Sequence, residues 1–107
     1  MNIREKKKKL AAAKRQRKVE QEVIAIGAGA GWWWLDGDGY TEYQDDTEKC
    51  IGSLLEGVRW LYDLPQDCSL FRAWNLQKFS NPKSAAKAII NEIDYQKYIE
   101  KQKAEAA

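Results

Sequence analysis

Nine lysine and arginine side chains in the first 18 residues are the densest group of one chemical type in the sequence. A single acidic residue, Glu5, accompanies them, so this stretch carries a formal charge of +8. Dense positive charge with few apolar residues is typical of proteins that bind nucleic-acid phosphates, because binding releases condensed counterions. The predicted phosphate-binding residues are Arg4, Lys6, Lys7, Lys8, Lys9, Lys14, Arg15, Arg17 and Lys18.

The charge balance reverses in the rest of the chain. Residues 19–107 hold nine basic and fifteen acidic side chains, a formal charge of −6. Residues 2–22 are nearly all good helix formers without a continuous apolar stripe, which predicts an exposed helix that frays at its start and becomes firmer toward Val19. We therefore divide the chain into a basic helical arm, residues 1–22, and one small domain, residues 23–107. The alternative is that the arm is a solubilising tail that neutralises the acidic body.

Aromatic residues form a second group that could bind a partner. Trp32–Leu35 and Tyr40–Tyr43 flank a doubled Asp-Gly, which predicts a β-hairpin. Alternate residues of a strand face opposite sides, so Trp32 and Trp34 share one face. If helices cover only the other face, these side chains are free to stack on bases or to bind a protein; if both faces are covered, they are core. The predicted stacking or partner surface is Trp32, Trp34, Asp36, Asp38 and Tyr40.

The stretch "LDGDGYTEYQDD", residues 35–46, resembles a hairpin in a family of small phage-encoded anti-CRISPR proteins. The shared feature is an aromatic residue before Asp-Gly-acid-Gly-Tyr-Thr, over about a tenth of the chain. The basic arm and the last helix have no counterpart in that family. The resemblance implies a phage protein that inhibits a host effector complex by binding it, without catalysis.

Several kinds of chemistry are excluded by what the sequence lacks. The glycine run over residues 27–31 has Trp32 where a dinucleotide fingerprint needs its third glycine, and a strand pattern follows instead of a helix. We therefore expect a flexible joint and no cofactor. The acidic residues near the hairpin do not fit a calcium loop, because Thr41 occupies the glycine position. With no histidine in the chain, we expect neither a metal site nor an enzyme.

The remaining patterns predict two amphipathic helices and a third strand. Asp45 and Glu48 fit a capping box before a helix that ends at Pro65, and Asn81 with Pro82 begins the last helix. Residues 69–79 alternate imperfectly and predict a strand that pairs with the hairpin. The predicted fold class is α+β: a small antiparallel sheet packed with two helices after the basic arm. The predicted buried helical residues are Ile51, Leu54, Leu55, Val58, Leu61, Tyr62, Ala85, Ala86, Ile89, Ile90 and Ile93.

These observations favour a non-catalytic accessory protein that contacts nucleic-acid phosphates through its arm. The alternative function is a small protein-binding module or inhibitor that uses the acidic and aromatic hairpin. We expect no membrane partner and no small-molecule substrate. The predicted location is the cytoplasm, or the nucleus in a eukaryote, and there Cys50 and Cys68 should be free thiols.

Overall fold

The computed structural model describes residues 2–35, 40–43, 47–72 and 78–106, with only the backbone at residues 33–35, 40–43, 47 and 48. Three long α-helices dominate this part of the chain. A pair of short strands lies between the first two helices, and a single 3-10 turn precedes the third. In chain order the elements are α1 Ile3–Gly29, β1 Trp32–Leu35, β2 Tyr40–Tyr43, α2 Thr47–Tyr62, the 3-10 turn Ser69–Phe71 and α3 Pro82–Ala106.

The fold is helical, and the predicted α+β class with an antiparallel sheet layer is wrong. β1 and β2 pair antiparallel as a two-stranded ribbon, with Trp32 opposite Tyr43. In the described residues no third strand extends this ribbon into a sheet. The segment predicted as that strand instead begins with the 3-10 turn and is held by two fully buried residues, Leu70 and Phe79. Residues 73–77, in its middle, lie outside the described residues.

Helix α1 extends into the glycine run as far as Gly29, so the prediction of a flexible joint there is wrong. The Asn2 side chain begins the helix by accepting a hydrogen bond from the Glu5 backbone N–H at 2.9 Å. Val19, Val23 and Gly27 are buried at four-residue spacing, so one helical stripe faces the core. This burial offsets the roughly 1 kcal/mol that each glycine costs a helix interior.

The end of α1 is set by Gly31, which has a φ of 79°. Only glycine adopts this conformation without strain. A Cβ atom added at Gly31 would also lie 3.4 Å from the Sγ atom of Cys50. Gly31, the last glycine of the run, therefore forms the turn that ends α1.

Helix α2 packs antiparallel to α1. Gly57 of α2 lies against Ile26 of α1. Five residues later on α2, Tyr62 lies near Glu22, which is four residues earlier on α1, so the two helices run in opposite directions. Its buried face contains Ile51, Leu54 and Val58, as predicted, whereas Leu61 is 52% exposed. Leu64, just after the helix, occupies the core at this end instead.

The two glycines of α2 differ in a way that yields a stability prediction. A Cβ atom at Gly57 would lie 2.5 Å from Cγ2 of Ile26, whereas a Cβ atom at Gly52 would meet nothing within 4 Å. Ile26 cannot easily rotate away, because β-branched side chains are stiff in helices. We expect Gly57→Ala to lower the free energy of unfolding by about 1–3 kcal/mol, through overpacking. We expect Gly52→Ala to raise it by about 0.5–1 kcal/mol, through helix propensity.

Urea unfolding followed by circular dichroism measures both changes. The Ile26→Ala background provides the control, because removal of the obstructing methyl groups should abolish most of the penalty of Gly57→Ala. Equal effects of the two glycine substitutions in the wild-type background would contradict the close contact between α1 and α2.

Helix α3 packs against α1. Asn81 caps it, accepting a hydrogen bond from the Ser84 backbone N–H at 2.8 Å, which confirms the predicted start. Ala85, Ala86 and Ile89 are buried, so the helix approaches the core closely. The molecule measures 45 × 39 × 21 Å. Two helices of roughly 40 Å fit these dimensions if they cross instead of lying side by side.

The two cysteines are buried and free, as predicted. The core brings together all three helices and the segment that joins α2 to α3. Its largest fully buried side chains are Phe79, Leu54, Leu70, Ile89, Val23 and Val58.

Candidate nucleic-acid interface

The first half of α1 projects beyond the core. Residues 2–14 are all exposed, and the first buried residue of the helix is Val19. At a rise of 1.5 Å per residue, residues 3–14 extend for about 18 Å. Eight of the nine predicted phosphate-binding residues are exposed on this half of α1 and on its next helical turn. They are Arg4, Lys6, Lys7, Lys8, Lys9, Lys14, Arg17 and Lys18.

Four of these residues share one side of α1. Residues three or four apart lie on the same helical face, and Arg4, Lys7, Lys14 and Lys18 follow that spacing with Ala11 between them. This basic face points away from the core, because its residues lie about 100–180° around the helix from Val23, the middle of the buried stripe. Its four cations are therefore presented to solvent along one line.

The ninth basic residue, Arg15, is used inside the molecule. Its guanidinium donates two hydrogen bonds to the Asp94 carboxylate on α3, at 2.9 and 3.2 Å. These bonds hold the pKa of Asp94 below its ordinary value. The neighbouring Gln16 donates to the Lys83 carbonyl at 3.1 Å. Arg15 and Gln16 thus attach α1 to α3 at the point where the helix leaves the core.

The predicted aromatic surface is only partly described. Trp32 is half-buried and packs against the hydrophobic core, so its ring is not a free surface. The side chains of Trp34 and Tyr40, and residues Asp36 and Asp38, lie outside the described part of the chain. A partner surface on the hairpin therefore stays a prediction.

An exposed tryptophan that the sequence interpretation missed lies on α2. Trp60 is 74% exposed, and the Arg59 guanidinium lies 5.0 Å from the centre of its ring. Glu56 accepts a hydrogen bond from Arg59 at 3.0 Å, which steadies the guanidinium. The sequence carries the signal for this position, because Trp60 lies outside the apolar stripe of Leu54 and Val58.

One cysteine lies beside a buried carboxylate between α3 and the 3-10 turn. Glu92 is 9% exposed and accepts a hydrogen bond from Gln96 at 2.8 Å. Burial raises the pKa of the Cys68 thiol, and the negative charge of Glu92 raises it further. A protonated thiol is a poor nucleophile, so the surroundings of Cys68 suit a structural role and not a catalytic one.

A second buried polar group lies between α1 and α2. The Tyr62 hydroxyl is buried near Glu22, and burial with the added effect of the Glu22 charge raises the pKa of Tyr62. The phenol is therefore neutral at all physiological pH values. Like Cys68, it shows no activation for chemistry.

Within residues 2–35, 40–43, 47–72 and 78–106, no three His, Cys, Asp or Glu side chains come together to hold a metal ion. None of the helices described above has an apolar stretch long enough to span a membrane. Comparisons of the chain with protein-family models, curated proteins and solved structures give no match.

Proposed function

We propose that this protein is a non-catalytic accessory protein that binds the phosphate backbone of nucleic acids through the basic face of α1. The observation that carries the proposal is the projection of residues 2–14 from the core as an exposed helix, with three of its six cations, Arg4, Lys7 and Lys14, aligned on one side. Cations arranged in this way neutralise phosphates, and the condensed counterions are released. Contacts to phosphates do not distinguish one base sequence from another.

The charge of the remaining chain supports this assignment. Residues 19–107 carry a formal charge of −6, so the body repels a polyanion. The phosphates therefore bind to α1. Attachment of Arg15 and Gln16 to α3 fixes the direction of the helix relative to the body.

A matched pair of triple variants tests the proposal. Lys7, Lys14 and Lys18 are replaced by glutamine in one variant, and the exposed α3 residues Lys87, Lys101 and Lys103 in the other. Both variants lose three positive charges. We expect the α1 variant to bind a DNA duplex more weakly and to flatten the dependence of log affinity on log salt by roughly 2.7.

The α3 variant should change that slope by less than about 1, because its lysines lie outside the proposed interface. Circular dichroism checks that both variants are folded. Equal losses from the two variants would show that binding depends on net charge alone and would contradict a specific role for α1. Loss of binding to a protein partner on substitution of Asp36 or Asp38, without nucleic-acid binding by the wild type, would favour the inhibitor function.

A further inference from the structure

We propose that the basic face of α1 and the exposed indole of Trp60 form one continuous track for single-stranded nucleic acid, with a base stacked on Trp60. This inference rests on the proposed function and deepens it, since it names the class of nucleic acid and a stacking residue. The track is defined by the packing of α2 on α1, by helical geometry and by the exposure of Trp60.

The position of Trp60 along α1 follows from two contacts. Gly57 lies against Ile26, and Tyr62 lies near Glu22. Trp60, between Gly57 and Tyr62 in an antiparallel pair, is therefore level with residues 22–25 of α1. Lys18 lies one to two turns from that level, toward the amino terminus of α1.

Trp60 and the basic face lie on the same side of the α1–α2 pair. On α2, Trp60 lies about 120° around the helix from Leu54 and about 160° from Val58, both fully buried. On α1, Lys14 and Lys18 point away from the buried stripe at Val19. Because the two helices bury their inner sides against one core, their outer sides form a common surface.

The dimensions of this surface suit a short strand. From Lys7 to the level of Trp60 the distance along α1 is about 24 Å. Known single-strand sites begin at about four nucleotides, and they combine a cationic path for the backbone with aromatic platforms for the bases. The basic face supplies the path, and the indole supplies the platform at its end.

The indole is prepared for stacking by its neighbours. The Arg59 guanidinium lies over the ring at 5.0 Å, and Glu56 holds it there. With a cation on one face of the indole, the other face is open to a base, because 74% of Trp60 is exposed. In a duplex the bases stack on one another, so only an unpaired base can use this platform.

The test uses the full-length protein with two fluorescent probes, a 12-nucleotide oligothymidine and a 12-base-pair DNA duplex. We expect Trp60→Ala to weaken binding to oligothymidine about 5- to 100-fold. Binding to the duplex should change less than about twofold, and the salt dependence should be unchanged, because no phosphate contact is lost. Trp60→Phe should restore most of the affinity for oligothymidine, because the phenyl ring also stacks.

Tyr98→Ala is the matched control, since Tyr98 is 59% exposed on α3 and lies outside the track. If Trp60→Ala and Tyr98→Ala bind oligothymidine equally, the inference is wrong, while loss of binding in the Lys7, Lys14 and Lys18 variant would still support the proposed function. An equal loss for strand and duplex in Trp60→Ala would also overturn the stacking role. If the wild type binds neither probe, the proposed function fails and the inference fails with it.

Discussion

We expect Phe79→Ala to lower the free energy of unfolding by about 3–5 kcal/mol, the largest effect of any single substitution considered. Phe79 is 1% exposed and is the largest fully buried side chain among the described residues. Its removal leaves a cavity where the segment before α3 meets the core. The surrounding helices cannot close that cavity without moving buried neighbours such as Leu70 and Ile89.

Urea unfolding at constant pH measures the loss. Tyr98→Ala is the control, because Tyr98 is 59% exposed and its removal should cost less than about 0.5 kcal/mol. A loss below about 1 kcal/mol for Phe79→Ala would contradict the placement of this residue in the core.

The second large effect is expected from deletion of residues 2–14. This deletion removes six basic residues and one acidic residue, all of them exposed. Because no buried side chain is lost, the shortened protein should fold. Its affinity for nucleic acid at about 50 mM salt should fall by at least about a hundredfold, since most of the phosphate contacts are gone.

The deletion ends at Lys14 because Arg15 and Gln16 are bonded to α3. Circular dichroism and urea unfolding provide the control that the body is intact. Undiminished nucleic-acid binding by the shortened, folded protein would place the interface outside the projecting part of α1.

Local signals predicted some parts of the fold well. Asn81 and Pro82 predicted the start of α3, because capping depends on residues close in sequence. The spacing of Leu54 and Val58 predicted the buried face of α2. Each of these features depends on one helix turn or on one residue type.

The errors occurred where tertiary packing outweighs local propensity. Gly27 and its neighbours indicate a loop, yet burial of the stripe from Val19 keeps them helical. The segment over residues 69–79 has the composition of a strand, but Leu70 and Phe79 fix it by burial at two separate points. The alternating pattern did not distinguish the 3-10 turn Ser69–Phe71 from the start of a strand.

The interface residues were likewise predicted where local sequence determines them and missed where tertiary contacts do. The number and density of cations in the arm are read directly from the sequence. The sequence alone did not show that Arg15 is bonded to Asp94, because that partner is 79 residues away. The interpretation also favoured Trp32, which packs against the core, over Trp60, which the structure exposes.

The most direct test of the central claim is a salt titration of the wild-type protein with a DNA duplex and an oligothymidine strand. If the four cations of the basic face each contact one phosphate, log affinity should fall with log salt at a slope of roughly −3.6 for the duplex and −2.8 for the strand. Absence of binding at about 50 mM salt, or an affinity that does not change with salt, would contradict the assignment of the α1 basic face as a nucleic-acid interface.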